Sequence, residues 1–176
     1  MTKWTIGLGI ATAGIALVLV TGCASQPAEP IPPAEVTAAV HCLPDGPAEP
    51  EAGSVPEGFD PVAVYRCNPH ATLEDAEGRW SAVEIEHLTG DLGSLLKALA
   101  QPDDAPNGNP CMAMAELVRP LWLADASGRA IHVHYPRTSC GFTKPAVHAA
   151  LDHLTVVDTR VEKVKLVEPR TAEDAG

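Results

Sequence analysis

Aromatic side chains are scarce in this chain, which carries only three Trp, two Tyr and two Phe. A core built without large rings is small, so a domain of this size needs covalent help to stay folded. Basic residues are also few: 12 Lys and Arg stand against 23 Asp and Glu, a formal net charge of −11. That balance excludes nucleic acid as a partner, because phosphate would be repelled. Catalytic signatures are missing as well. No serine sits in GxSxG, no HExxH occurs, and Gly90-Asp91-Leu92-Gly93 lacks the lysine of a phosphate loop. No CxxC is present, which argues against a zinc ribbon. The chain is therefore expected to be non-catalytic and to need no cofactor.

What is present begins with an address. Lys3 is followed by an apolar run from Ile6 to Val20, interrupted by Gly7, Gly9 and Gly14 and too short for a comfortable membrane span. Val20-Thr21-Gly22-Cys23 then resembles the lipobox of bacterial lipoproteins. The resemblance implies a signal peptide over residues 1–22 and an N-terminal diacylglyceryl cysteine at Cys23, usually carrying a palmitate-type acyl chain. It also implies a lipid bilayer as partner and a location on the extracytoplasmic face of the cell membrane. Residues 23–38 hold Pro27, Pro30, Pro32 and Pro33 and are expected to form a semi-extended tether.

If Cys23 carries lipid, Cys42, Cys67, Cys111 and Cys140 remain, an even number that in an exported chain favours two disulfides among three possible connectivities. The pairing follows from a hairpin. Glu116 to Ala124 and Arg129 to Tyr135 read as strands folded at Asp125-Ala126-Ser127-Gly128, with Asp at the first turn position and Gly where the backbone turns left-handed. That register sets Leu121 opposite Val133 and Leu123 opposite Ile131, so that Leu121, Leu123, Ile131, Val133 and Tyr135 share the core face. Trp122, Ala124, His132 and His134 fall on the other face. Pro120 marks the first strand as an edge or as bulged. Cys111 and Cys140 flank the open end and are expected to bond, which leaves Cys42 for Cys67.

The rest of the domain, residues 39–167, is expected to be α+β: a small antiparallel sheet centred on the stapled hairpin with two short amphipathic helices on one face. Ala39 to Cys42 reads as a short strand, and Pro44 to Gly58 as a loop closed by the first disulfide. Pro61 to Cys67 is β-rich, with Val62 and Val64 on one face, and Arg79 to Leu88 alternates so that His87 points inward. Leu92, Leu95, Leu96 and Leu99 form a helical stripe capped by Thr89 or Asp91, and Thr143 with Pro145 opens a second helix bearing Val147, Leu151 and Leu154. Thr155 to Val167 is the last strand, and residues 168–176 read as an acidic tail.

Two candidate sites follow. Trp122, His132 and His134 make an outward patch with binding character. The two histidines, about 7 Å apart along one strand face, have chelating spacing for zinc or copper but no adjacent third ligand. The second site is the segment after Cys111. Gly90-Asp91-Leu92, then Cys111, then the hairpin and Cys140, resembles the secreted subtilisin inhibitors of actinobacteria. That likeness implies a reactive loop at Met112-Ala113-Met114-Ala115, with Ala113 in the specificity pocket of a secreted protease. The family carries proline where this chain has Met112, and its first cysteine pair lies closer in sequence. An exposed Met-Ala-Met run has a second reading as gap-filling core. The expected role is a membrane-anchored domain that binds or scaffolds an envelope protein, with protease inhibition and metal binding through His132 and His134 as alternatives.

Overall fold

The computed structural model describes residues 30–44 and 49–170. Cys23, the 1–22 segment, the first part of the tether and residues 171–176 lie outside them. Among the described residues six strands and two helices follow in order: β1 (Val36–Thr37), β2 (Pro61–Asp75), β3 (Gly78–Thr89), α1 (Gly93–Leu99), β4 (Leu121–Asp125), β5 (Ala130–His132), α2 (Pro145–Asp152) and β6 (Thr155–Pro169). They form one antiparallel sheet in the order β1-β5-β4-β2-β3-β6. Among the described residues no helix is long and apolar enough to cross a membrane.

The β4–β5 turn forms as the sequence requires. The Asp125 carboxylate accepts from the Ser127 hydroxyl (2.7 Å), the Ser127 amide (2.9 Å) and the Arg129 amide (3.1 Å), and Gly128 takes φ 84°. Hydrogen bonding by the Ser127 hydroxyl and the Arg129 guanidinium lowers the Asp125 pKa to about 2. Leu123 faces Ile131 and the Val133 amide donates to the Leu121 carbonyl, so the expected register holds. The strands are shorter than expected. β4 starts only after Pro120 and runs between β5 and β2, so Pro120 closes off a central strand instead of marking an edge.

The sheet is not centred on this hairpin. Its larger part is β2, β3 and β6, and the half of β2 from Asn68 to Asp75 is a strand that the sequence does not announce. Pro69 and His70 fall in a register shift between Asn68 and Ala71, where a missing amide donor is tolerated. The β2–β3 turn is closed by Asp75, whose carboxylate accepts from the Glu77 amide at 2.8 Å. A salt bridge from Lys163 on β6 holds the Asp75 pKa at about 2.

Both faces of the sheet are covered around β4, β5 and the adjoining halves of β2 and β3, whereas β6 enters neither buried cluster and is exposed along most of its length. On one face α1 and α2 bury Leu92, Leu95, Leu99, Val147 and Leu151 against Val64, Leu88, Leu121, Leu123, Ile131 and Val133, with Tyr135 at the margin. Each fully buried aliphatic side chain of this kind contributes about 1.5–3 kcal/mol. The opposite face carries a smaller cluster of Cys67, Trp122, Ala124 and Ala130, closed over by Val40 and Cys42. Val62 is exposed while Val64 is buried, because the β2–β4 register shifts between Pro61 and Ala63.

Several end points move. Ala39 to Cys42 is not a strand; the paired residues are Val36 and Thr37, and Pro33 bridges Ser54. Residues 33–37, expected in the tether, thus belong to the domain, with Ala34 buried. At the other end Glu168 and Pro169 continue β6, and Glu168 pairs with Arg79 at 2.6 Å, so these positions are sheet and not tail. Asp91 serves α1 by accepting from the Gly93 amide at 2.9 Å, whereas Thr89 ends β3. Lys144, not Thr143, occupies the cap position of α2.

Candidate binding loop

Two disulfides join Cys42 to Cys67 and Cys111 to Cys140, with Cα atoms 5.6 and 5.5 Å apart. The second fixes one end of the segment that runs from Cys111 to Pro120. Met112 is 70% exposed, Met114 64% and Leu117 84%, and Val118 is also exposed. Ala113 and Ala115 are exposed too, so the methionines fill no core gap. The Met114 amide donates to the Met112 carbonyl at 2.8 Å, a tight three-residue turn with Ala113 at its tip.

This apolar run is held along its length. Glu116 turns inward, and its carboxylate accepts from the Thr143 amide at 2.6 Å and contacts His148 Nε2 at 3.0 Å, tying the loop to the start and the outer side of α2. Burial raises the Glu116 pKa, but the Thr143 and His148 hydrogen bonds outweigh it and leave the group below its ordinary value. Farther on, the Arg119 carbonyl accepts from the Tyr135 hydroxyl at 2.8 Å. Burial pushes the Tyr135 pKa up, so that hydroxyl stays a donor. Arg119 Nη1 reaches Glu86 at 3.1 Å, which also bonds Arg66 at 2.7 Å, and the Pro120 carbonyl accepts from the Cys67 amide. Beneath the loop lies a cavity of about 380 Å³ lined by Met114, Glu116, Arg119, Tyr135 and Phe142 among others.

The other expected patch does not form. Trp122 is 0% exposed, stacked on His132 with ring centroids 5.1 Å apart and approached by His41 at 5.6 Å. The cause is the segment leading into Cys42, which the first disulfide clamps over that face. His132 and His134 are largely buried and engaged apart from each other. His132 Nδ1 meets the Pro50 carbonyl at 2.9 Å, while His134 Nε2 meets Asp103 at 3.0 Å. Among the described residues no group of three His, Cys, Asp or Glu side chains is placed to hold a metal ion. His87 is half-buried; its ring stacks on Tyr65 with centroids 4.6 Å apart, and among the described residues its buried Nε2 has no hydrogen-bond partner.

Glu116, Leu117 and Val118 read as strand residues in the sequence, yet the structure places them in the loop ahead of β4. Pro120 was the signal against that strand. Comparison with protein-family models, with curated proteins and with solved structures returns no match.

Proposed function

We propose that this chain is a non-catalytic binding domain of the cell envelope, anchored through lipid on Cys23, and that the loop after Cys111 is the element it offers to a protein partner. One observation carries the reading. Met112, Met114, Leu117 and Val118 expose an apolar run that is held by a disulfide at one end and by Glu116, Arg119 and Pro120 at the other. An apolar loop ordered before binding loses little entropy on entering a cleft, which is the basis of tight association by a small contact. On this reading the domain is an α+β scaffold whose helices and disulfides serve to present that loop.

The partner is a secreted protease of the subtilisin class, inhibited at the bonds of Met112-Ala113-Met114-Ala115. To lie across a protease as a substrate strand the loop opens the Met112–Met114 hydrogen bond at its tip, while its anchors at Glu116 and Arg119 stay in place and the Cys111–Cys140 bond retains the cleaved ends. The test is a stoichiometric titration of residues 24–176, disulfides formed, against subtilisin-like and trypsin-like proteases, with mass spectrometry of the bonds between 112 and 115. Tight inhibition with slow cleavage is the expected result. Rapid cutting, or no interaction, overturns the protease reading and leaves capture of another envelope protein by the same loop.

A further inference from the structure

β6 is fifteen residues long and closes one side of the sheet; among the described residues nothing pairs with its outer side. An unpaired edge of that length is a template for another strand, and proteins blunt such edges with bulges or with lysines. Here the bulges are confined. The pairing of β6 with β3 shifts beside Val157 and again beside Val164 and Val167, but Asp158 to Lys163 forms an unbroken ladder. Lys163, the first edge lysine, is drawn inward to Asp75 and Glu77 and over the Trp80 ring. The central part of the edge is left regular, with Val161 exposed.

From this edge we infer that β6 pairs antiparallel with β6 of a second copy of the chain, about a two-fold axis at Val161. Opposite residues in an antiparallel pair share a face, so a two-fold across a continuous sheet sets some residue opposite its own copy. Only a few centres fit the unbroken stretch. Centring on Arg160 opposes Arg160 to itself and Asp158 to Glu162. Centring on Glu162 opposes two glutamates. Centring on Thr159 matches charges but draws the bulged Val157 into the ladder. Centring on Val161 sets Val161 opposite Val161, Arg160 opposite Glu162 twice by symmetry, and Thr159 opposite Lys163, all within the unbroken stretch and with no like charges facing. Neither Arg160 nor Glu162 takes part in an ion pair among the described residues, so both are free for this role.

The test uses the full chain expressed in a bacterium, with single cysteines introduced and cross-linked in intact cells by copper phenanthroline. The unsubstituted chain sets the background, including any from Cys23 in chains that carry no lipid. Net charge opposes association of two acidic copies, so the medium is kept at about 0.15 M salt, where the Debye length is about 8 Å. Val161→Cys is expected to give a disulfide-linked dimer, because directly opposed Cα atoms about 4.5–5.5 Å apart lie within bonding range. Val156→Cys, similarly exposed but opposite Leu166 in this register, is expected to stay at background. Adding Arg160→Glu to Val161→Cys turns two attractive pairs repulsive and should lower the dimer on the order of ten-fold. Adding Glu162→Arg as well should restore it. The inference is overturned by Val161→Cys cross-linking no better than Val156→Cys, by stronger cross-linking through Thr159→Cys, by failure of the charge swap to restore the dimer, or by a band joining the chain to a different protein.

Discussion

Trp122 has the largest side chain among the fully buried residues, and among the described residues its indole N–H finds no acceptor. A buried donor without a partner costs about 1–3 kcal/mol, which a ring of this size outweighs through packing. The two contributions separate by substitution. Trp122→Ala opens a cavity and should lower stability by about 3–5 kcal/mol, whereas Trp122→Phe keeps most of the packing, removes the orphaned donor and should cost about 1 kcal/mol or less. Urea unfolding of the two variants measures both. A Trp122→Ala protein as stable as the parent would mean that the ring is not core, and would return the Trp122, His132 and His134 face to consideration as a binding surface. The alternation of the hairpin placed Trp122 on the correct face; what covers that face comes from the segment before Cys42, some eighty residues earlier in the sequence. Strand periodicity carries no information about such a distant lid.

The segment from Cys111 to Pro120 behaves as an element although it has no regular secondary structure. Its shape rests on the Cys111–Cys140 bond and the Glu116 carboxylate, and the two are separable in their consequences. Replacing both Cys111 and Cys140 by serine releases a loop of about thirty residues, with a stability loss of roughly 3–4 kcal/mol by loop-closure entropy. The same variant should be cut by subtilisin between residues 112 and 115 many times faster than the parent, while Cys42→Ser with Cys67→Ser leaves that rate near the parent's. Timed proteolysis with mass spectrometry reads the difference. Equal rates in the two double variants would show that the second disulfide does not order the loop. The staple itself was legible, because Asp125 and Gly128 define a turn, the turn defines a register, and the register brings Cys111 and Cys140 to one end. The length of the first strand was not legible. Leu117 and Val118 alternate like strand residues, yet they lie exposed in the loop ahead of Pro120, which lacks the amide a strand interior needs.

At the scale of the molecule the sheet is one continuous surface, covered around β4 and β5 by a helical layer on one side and a lid of irregular chain on the other, with β6 left outside both. The leucines of α1 and the Pro145 start of α2 announced the helical layer, since a stripe at helical spacing needs a sheet to cover. The lid and the N-terminal edge left no such mark, because their order comes from backbone pairing between segments far apart in sequence. Gly53 is where that pairing is tightest. The Ala34 amide donates to the Ser54 carbonyl at 2.9 Å, the Ser54 amide to the Pro32 carbonyl at 2.9 Å, and the Gly53 amide to the His132 carbonyl at 3.0 Å. A Cβ at Gly53 would lie 2.6 Å from the Pro32 carbonyl oxygen and from the Ala34 Cα, both backbone atoms that cannot give way. Gly53→Ala should therefore expel residues 32–35 from the edge of the sheet while the helical layer stays intact. Amide hydrogen exchange is the measurement: faster exchange is expected at Ala34 and Ser54, with unchanged protection at Leu96 and Ala100, whose amides close the turns of α1. Unchanged protection at Ala34 would mean that the segment adjusts around the methyl and is not wedged in place by Gly53. Faster exchange in α1 as well would instead mean that the 32–37 segment and the main core open together, so that the stretch between the proposed lipid anchor and the sheet is part of what keeps the domain folded.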